Sequence, residues 1–449
     1  MSVKMIKQIK SVALLLMAIM LLASCGPDLS SSEIGNASSS TENGGAGNGS
    51  SGNGKDNTET GGDSGTDDNG NVNSDDSSTI AKEFAGGDGS EKNPYLIKTA
   101  AQLRKLSNDC AKGIHYRETY FRLENDIRFN KNVLDENGEL NGNESRFKQW
   151  IPIGKDISLK FGGNFNGNGH TIYGIVCTND SYDFTGLFGA CGTVTHLTIK
   201  DSYFEGKKDV GSIAGFMERV INCVNYATVK STSSDTYVYV GGIAGYVDLF
   251  VDSCGNFGKV YGGDAAGVAG RAMRIRNSFN YGNIEGSSYA AGIVAIFPGY
   301  AHEITNCVNL GVISCRTSKN LRVGGIASYF SRFQAVINVV NYGMILKNIS
   351  GIGALVGTYF KDNYAGSGNY TELCHGYYLE STSYSAVGAN SSLCPQTDVL
   401  SMKSEEMKSQ GFLDKLNANV AELKEIYPKY NFCNWKFGKD GFPVLDWMN

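Results

Sequence analysis

Histidine is rare in this chain, with 5 in 449 residues, and the five (His115, His170, His196, His302 and His375) are scattered. No Cys-x-x-Cys pair and no His-Glu-x-x-His occurs. A zinc site needs such clustered ligands, so neither metal nor cofactor is expected. Gly167-Asn168-Gly169-His170 lacks the Lys and Ser/Thr that complete a phosphate loop. Proline is also scarce, at 7 residues, whereas glycine reaches 57 without the every-third spacing of collagen. That glycine fits many tight bends between short strands. No apolar run is long enough to span a bilayer. Charge of one sign is missing too: outside residues 1–79 the chain has 36 Lys and Arg against 35 Asp and Glu. A near-neutral body has no net pull toward nucleic acid or anionic lipid.

The first 79 residues have a character of their own. Lys4, Lys7 and Lys10 precede an apolar stretch from Val12 to Leu22, which is right for a signal peptide. It ends in Leu22-Ala23-Ser24-Cys25-Gly26, which looks like a lipobox. Residues 1–24 are therefore expected to be removed and Cys25 to be acylated as the mature N-terminus. Partnership with the membrane is expected to run through this lipid anchor. Residues 26–79 are Ser, Gly, Asn, Asp and Thr, with ten acids and one base, Lys55. Nothing there offsets the entropy of ordering, so 25–79 is expected to be a lipidated tether spanning roughly 40 Å. The expected location is the cell envelope, on the outer membrane and exposed at the surface; Asp28 beside the acylated Cys agrees with export to the outer face.

The body carries a repeat. One phrase reads Val210-Gly211-Ser212-Ile213-Ala214-Gly215 and returns from Val240, Ala266, Ala291, Val323 and Gly353. A second follows it: Asn222-Cys223-Val224-Asn225-Tyr226, then copies containing Asn256, Asn280, Asn309 and Asn341. This asparagine recurs after 31, 24, 29 and 32 residues. Such a period means stacked coils. Ile213, Ile243, Val268, Ile293, Ile326 and Leu355 share one slot and are assigned to the interior, although the last copy slips by one. Cys223, Cys254, Ser278, Cys307 and Val339 share a small inward slot. The fixed asparagines are expected to bond along the stack at a bend. Tyr226, Phe257, Tyr281, Leu310 and Tyr342 should stack beside them.

Residues 80–119 form an N-terminal cap, with Thr99 as N-cap of a helix to about Ala111. Residues 120–395 hold the coils. Residues 396–449 hold a helix from about Ser404 to Ile426, split at Gly411, and a last strand, read as a second cap.

Pro94-Tyr95-Leu96-Ile97, Trp150-Ile151-Pro152-Ile153-Gly154, Phe165-Asn166-Gly167-Asn168-Gly169-His170-Thr171-Ile172, Gly186-Leu187-Phe188-Gly189 and the Gly-Gly-Ile-Ala-Gly copies resemble the GLUG-repeat family. The resemblance covers about residues 86–449. It implies a bacterial cell-surface protein with an all-β fold, a right-handed parallel β-helix with short helical caps. Some larger family members are immunoglobulin A metallopeptidases with a separate zinc domain. The absence of His-Glu-x-x-His keeps that activity from carrying over.

Several residues have two readings. The cysteines are either small interior hydrophobes or disulfides, with Cys374–Cys394 the leading pair and Cys223–Cys254 conceivable. Asp201, Glu205, Asp209, Asp248 and Asp252 either line a catalytic face or are solvated turn charges. Phe216, Tyr246, Phe297, Phe330 and Tyr359 either form an exposed stripe that stacks on sugars or pack inside. No catalytic motif is present. The function expected is non-enzymatic adhesion, with glycans or matrix and host proteins as partners. A polysaccharide lyase or glycoside hydrolase is the alternative, and a structural surface-layer component a third.

Overall fold

A computed structural model describes residues 79–448, apart from 234, 236, 288, 297–301, 317–321, 331–333, 347–350, 360–371 and 381–383. Cys25, the tether and Phe297 lie outside the described residues. One coil illustrates the rest. Tyr239–Gly241 is a short strand on one face, and a tight corner leads into the long strand Ala244–Asp252. Ser253 then turns with φ 53° into Gly255–Asn256, and a bend at the asparagine leads to Val260–Tyr261 on a further face. Gly262 and Gly263, both at positive φ, return the chain to Asp264–Ala266, one coil on. Every strand of this coil pairs in parallel with its successor. Repeated about nine times, this makes the right-handed parallel β-helix that was expected.

The interior is a set of stacks, because side chains alternate across each strand. On the long face Phe165, Val194, Val220, Val251, Ile275, Ile304, Val336 and Leu373 are partners in turn. At the corner, the N–H of Ile213 donates to the carbonyl of Ile243, and the same link continues through Val268, Ile293, Ile326 and Leu355. All six are fully buried, and the last copy keeps register, with Val323 opposite Ile352, Gly324 opposite Gly353 and Ala327 opposite Val356, so the slip expected at Leu355 does not occur. The small slot of Cys223, Cys254, Ser278, Cys307 and Val339 is fully buried as well.

The asparagine ladder forms as expected, and it explains the repeat. Nδ2 of Asn225 donates to Oδ1 of Asn256 at 2.8 Å, Asn256 to Asn280 at 2.8 Å, Asn280 to Asn309 at 2.8 Å and Asn309 to Asn341 at 2.8 Å. Each amide also bonds the backbone two residues on, as Asn280 does with the carbonyl and N–H of Gly282. The two phrases of the repeat meet here. A Cβ on Gly242 would stand 2.4 Å from Cγ of Asn256, so glycine in the first phrase makes room for asparagine in the second. The opening residue of the second phrase has another task. Asn222, Asn277, Asn306 and Asn338 sit at φ 54°, 50°, 56° and 54°, the left-handed region that asparagine tolerates. Outside the ladder, Tyr226, Phe257 and Tyr281 stack nearly parallel, with centroids 4.6 and 5.3 Å apart.

The first coils end in phenylalanines, with Phe121, Phe161, Phe165 and Phe188 buried together. Helix α1, Ala100–Ala111, seals them with Leu103, Leu106 and Cys110; Thr99 accepts from the Gln102 N–H, as the sequence implies. The C-terminal segment departs from expectation. Helices α2, Ser404–Met407, and α3, Gln410–Ile426, are separated at Lys408 and Ser409, ahead of the expected break at Gly411, which lies inside α3. They run along the flank of the coils and do not simply close the end. Phe279, Val308, Val340 and Tyr377, which point outward from successive rungs, pack against Leu416, Val420, Leu423 and Trp435. Apolar residues on the outer side of a strand demand such a cover.

Candidate functional site

The corner between the face that carries Tyr239–Gly241 (the third face) and the long face is the most distinctive surface. Two strands meet there at very close range. A Cβ on Gly245 would stand 2.7 Å from the Val210 nitrogen and 2.8 Å from the Tyr239 carbonyl. The equivalent positions Gly215, Gly270, Ala295 and Ser328 are all small and buried. Two rows of larger residues flank this narrow seam outside. The third face contributes Phe184, Asp209, Tyr239, Asp264, Tyr289 and Arg322, one per coil. The long face contributes Phe216, Tyr246, Arg271, Ile296 and Tyr329.

The rows interlock into a stripe. Phe216 meets Phe184 at 5.9 Å and Tyr246 at 5.2 Å, edge to face in the second case. The Arg271 guanidinium lies 4.7 Å from the Tyr246 ring and 5.5 Å from Tyr239, whose hydroxyl accepts from its Nη1 at 3.2 Å. Arg322 lies 4.6 Å from Tyr329 and 5.0 Å from Tyr289. Such cation–π contacts hold the guanidiniums in fixed places. Burial pushes the carboxyls of Asp209 and Asp264 up to about 7, against the opposing pull of Arg271 on the first and Arg322 on the second. Tyr239 donates its backbone N–H to Asp209 at 3.3 Å.

The aromatic residues singled out from sequence divide. Phe216 and Tyr246 stand in the stripe, half-buried. Phe330 and Tyr359 do not; both are buried in the interior, with rings 6.0 Å apart. Their slot was misaligned by one residue. The partner of Ile296 is Tyr329, and a one-residue shift on a strand moves a side chain to the opposite face. Tyr239, Asp264, Arg271, Tyr289 and Arg322 were missed. A signal existed, because Asp209, Tyr239 and Arg322 stand immediately before a copy of the first phrase, and Asp264 and Tyr289 two residues before one.

The candidate carboxylates are dispersed. Asp201 accepts from the backbone of Val133 and Leu134, and Glu205 pairs with Lys230 at 2.7 Å. Asp248 accepts from the Tyr246 hydroxyl, and Asp252 faces Arg276 at 3.4 Å on another part of the long face. Only Asp209 lies in the stripe's own row. Among the described residues no group of three or more His, Cys, Asp and Glu is placed to hold a metal ion.

Of the two readings of the cysteines the bridged one fails: neither Cys374–Cys394 nor Cys223–Cys254 is formed, and the ten described cysteines are thiols. Cys394 is buried in the interior, whereas Cys374 follows inward-facing Leu373 and points to the other side of the wall. Burial pushes the thiols of Cys177 and Cys307 up to about 12, which leaves them unreactive.

No family model matches the chain. A protein of Evansella cellulosilytica, named as a candidate Gly-rich membrane protein, is 36% identical over 148 residues. That stretch is 32% of this chain and 15% of the relative. Halomucin of Haloquadratum walsbyi is 27% identical over 165 residues, 36% of this chain and 2% of that protein. The chain thus spans a small part of both relatives. A solved structure described as a candidate immunoglobulin A1 protease from Bacteroides ovatus aligns over 82% of this chain and 96% of its own, with 17% identity and a TM-score of 0.45. Among the described residues no helix is long and apolar enough to cross a membrane.

Proposed function

We propose that this is a membrane-anchored surface protein, related to the GLUG-repeat proteins, that presents its β-helix for adhesion through glycans. The stripe carries this reading. Five coils in succession each place a tyrosine or phenylalanine ring or a guanidinium on one outer seam. Rings and guanidiniums offer sugars the apolar faces and hydrogen-bond donors they require. A relative named as a membrane protein and the lipobox at Cys25 support an anchored setting. The anchoring lipid sits on a tether, so the stripe would work clear of the headgroups.

A panel of immobilised glycans and matrix proteins tests the reading. The full chain should bind at least one glycan, and Tyr246→Ala and Tyr329→Ala should each weaken binding about tenfold, a typical loss for an aromatic anchor. Binding unchanged in both variants would place the contact elsewhere.

One observation favours a second reading, a carbohydrate-active enzyme. Asp209 and Asp264 lie two rungs apart on the same face, and both titrate near neutrality. General acids of glycosidases are tuned in that way. New reducing ends released from a bound glycan, and lost in Asp264→Asn, would establish this reading over the first.

A further inference from the structure

The stripe is not only aromatic. It carries charge of both signs, with Arg271 and Arg322 beside half-buried Asp209, buried Asp264 and Asp248, which accepts from the Tyr246 hydroxyl. Arg271 and Arg322 stand two coils apart, about 10 Å along the axis at the usual spacing of stacked strands. Each spreads its guanidinium over two tyrosine rings. Arg271 also keeps Nε buried without an acceptor, one of few such atoms among the described residues. A buried donor left open is costly. The coil spacing of about 4.8 Å is close to the length of one pyranose ring.

We propose that the stripe binds carboxylate-bearing polysaccharides, laid along the coil axis, with sugar rings on Tyr246 and Tyr329 and carboxylates on Arg271 and Arg322. This rests on the stripe being the glycan surface and specifies its ligand class. A planar guanidinium with several donors matches a carboxylate better than any neutral hydroxyl.

The two acids of the stripe set a pH dependence. Asp209 is faced by Arg271, Lys208, Asp183 and Tyr239, with Lys208 engaged by Asp183 at 2.8 Å. Asp264 is faced by Arg322, Tyr239 and Tyr289. Both carboxyls are held up near 7 by burial. Below that pH they take up protons and stop opposing the guanidiniums, whereas a sugar carboxylate, with a pKa near that of an ordinary carboxyl at about 4, stays ionised at pH 5.5. Affinity for an acidic glycan therefore rises as pH falls from 8 to 5.5.

The test uses the full chain and two polymers of equal length, polygalacturonate and its carboxyl-reduced counterpart, with single-stranded DNA as a third polyanion. At pH 5.5 polygalacturonate should bind at least tenfold tighter than the reduced polymer, and the ratio should shrink at pH 8. Arg271→Gln and Arg322→Gln should remove the preference, weakening polygalacturonate at least tenfold more than the reduced polymer. Asp209→Asn with Asp264→Asn should preserve tight binding at pH 8. Should Arg271→Gln fail to fold, Arg271→Lys and the unaltered protein's pH profile carry the decision. Equal affinity for both polymers overturns the acidic preference but leaves the glycan surface standing. No binding to either polymer counts against both. DNA bound as tightly as polygalacturonate overturns the proposal, because any polyanion would then do.

Discussion

Asn280 makes four hydrogen bonds in a site closed to water. It donates to the Gly282 carbonyl and to Asn309, and accepts from the Gly282 N–H and from Asn256. Alanine there would leave orphan groups on both neighbouring coils as well as at its own bend. Asn280→Ala should therefore destabilise the protein by roughly 2–4 kcal/mol, read as a lowered urea midpoint at pH 7. A loss under ~1 kcal/mol would mean that water replaces the amide. The ladder was legible in the sequence because a buried stack has one occupant type at one spacing. The stripe was less legible because its positions vary from Asp to Tyr to Arg. Of the two readings left open for Phe330 and Tyr359, the structure takes the buried one, because alternation is so unforgiving: Tyr329 and Phe330 are adjacent, yet one is in the stripe and the other is in the core.

At the scale of the element, the C-terminal segment is a flank cover with an uneven underside. Its apolar half is well matched, with Trp435 donating Nε1 to Asn306 and Asn419 donating to Asn338. The left-handed asparagines of the coils thus anchor it as well as turning the chain. Its polar half is poorly matched. Arg276 lies 3.8 Å from the Tyr430 ring, with Nε and Nη1 lacking partners, and Glu303 and Thr305 each keep a buried oxygen unpaired. Burial also holds the Glu303 carboxyl above its ordinary range. Such an interface opens before the coils do. Amide exchange should be faster in 410–448 than in the rungs at 214–256. Tyr430→Ala should speed it further, with no change in those rungs. Uniform exchange across both regions would show that segment and coils unfold as one unit. The sequence implied the helix but not its seat, because helical spacing identifies an apolar side without saying what it meets.

For the whole molecule, stacking makes each coil depend chiefly on its two neighbours. A stripe along the axis is a consequence, since equivalent positions of successive coils are brought side by side. In the proposed function, location is set by the other end of the chain. Cys25→Ala should abolish palmitate labelling and move the protein from the membrane to the soluble fraction, while the mutant keeps its glycan binding. Labelling that persists would remove Cys25 as the anchor.

By itself the sequence determined the solenoid, the inward stacks, the asparagine ladder and the N-terminal helix. Those features repeat, and a repeat can be read from one chain because each copy checks the others. The tertiary structure decided what does not repeat. It set the register that puts Tyr329 and not Phe330 outside, and it separated Cys374 from Cys394 across a strand. It also brought Asp264 and Arg322 into one seam with Tyr246, and laid the C-terminal helix on the flank. In each case the deciding fact is which side of a wall a residue faces. That depends on the local count of residues between bends, which varies from coil to coil and is settled only when the coils pack.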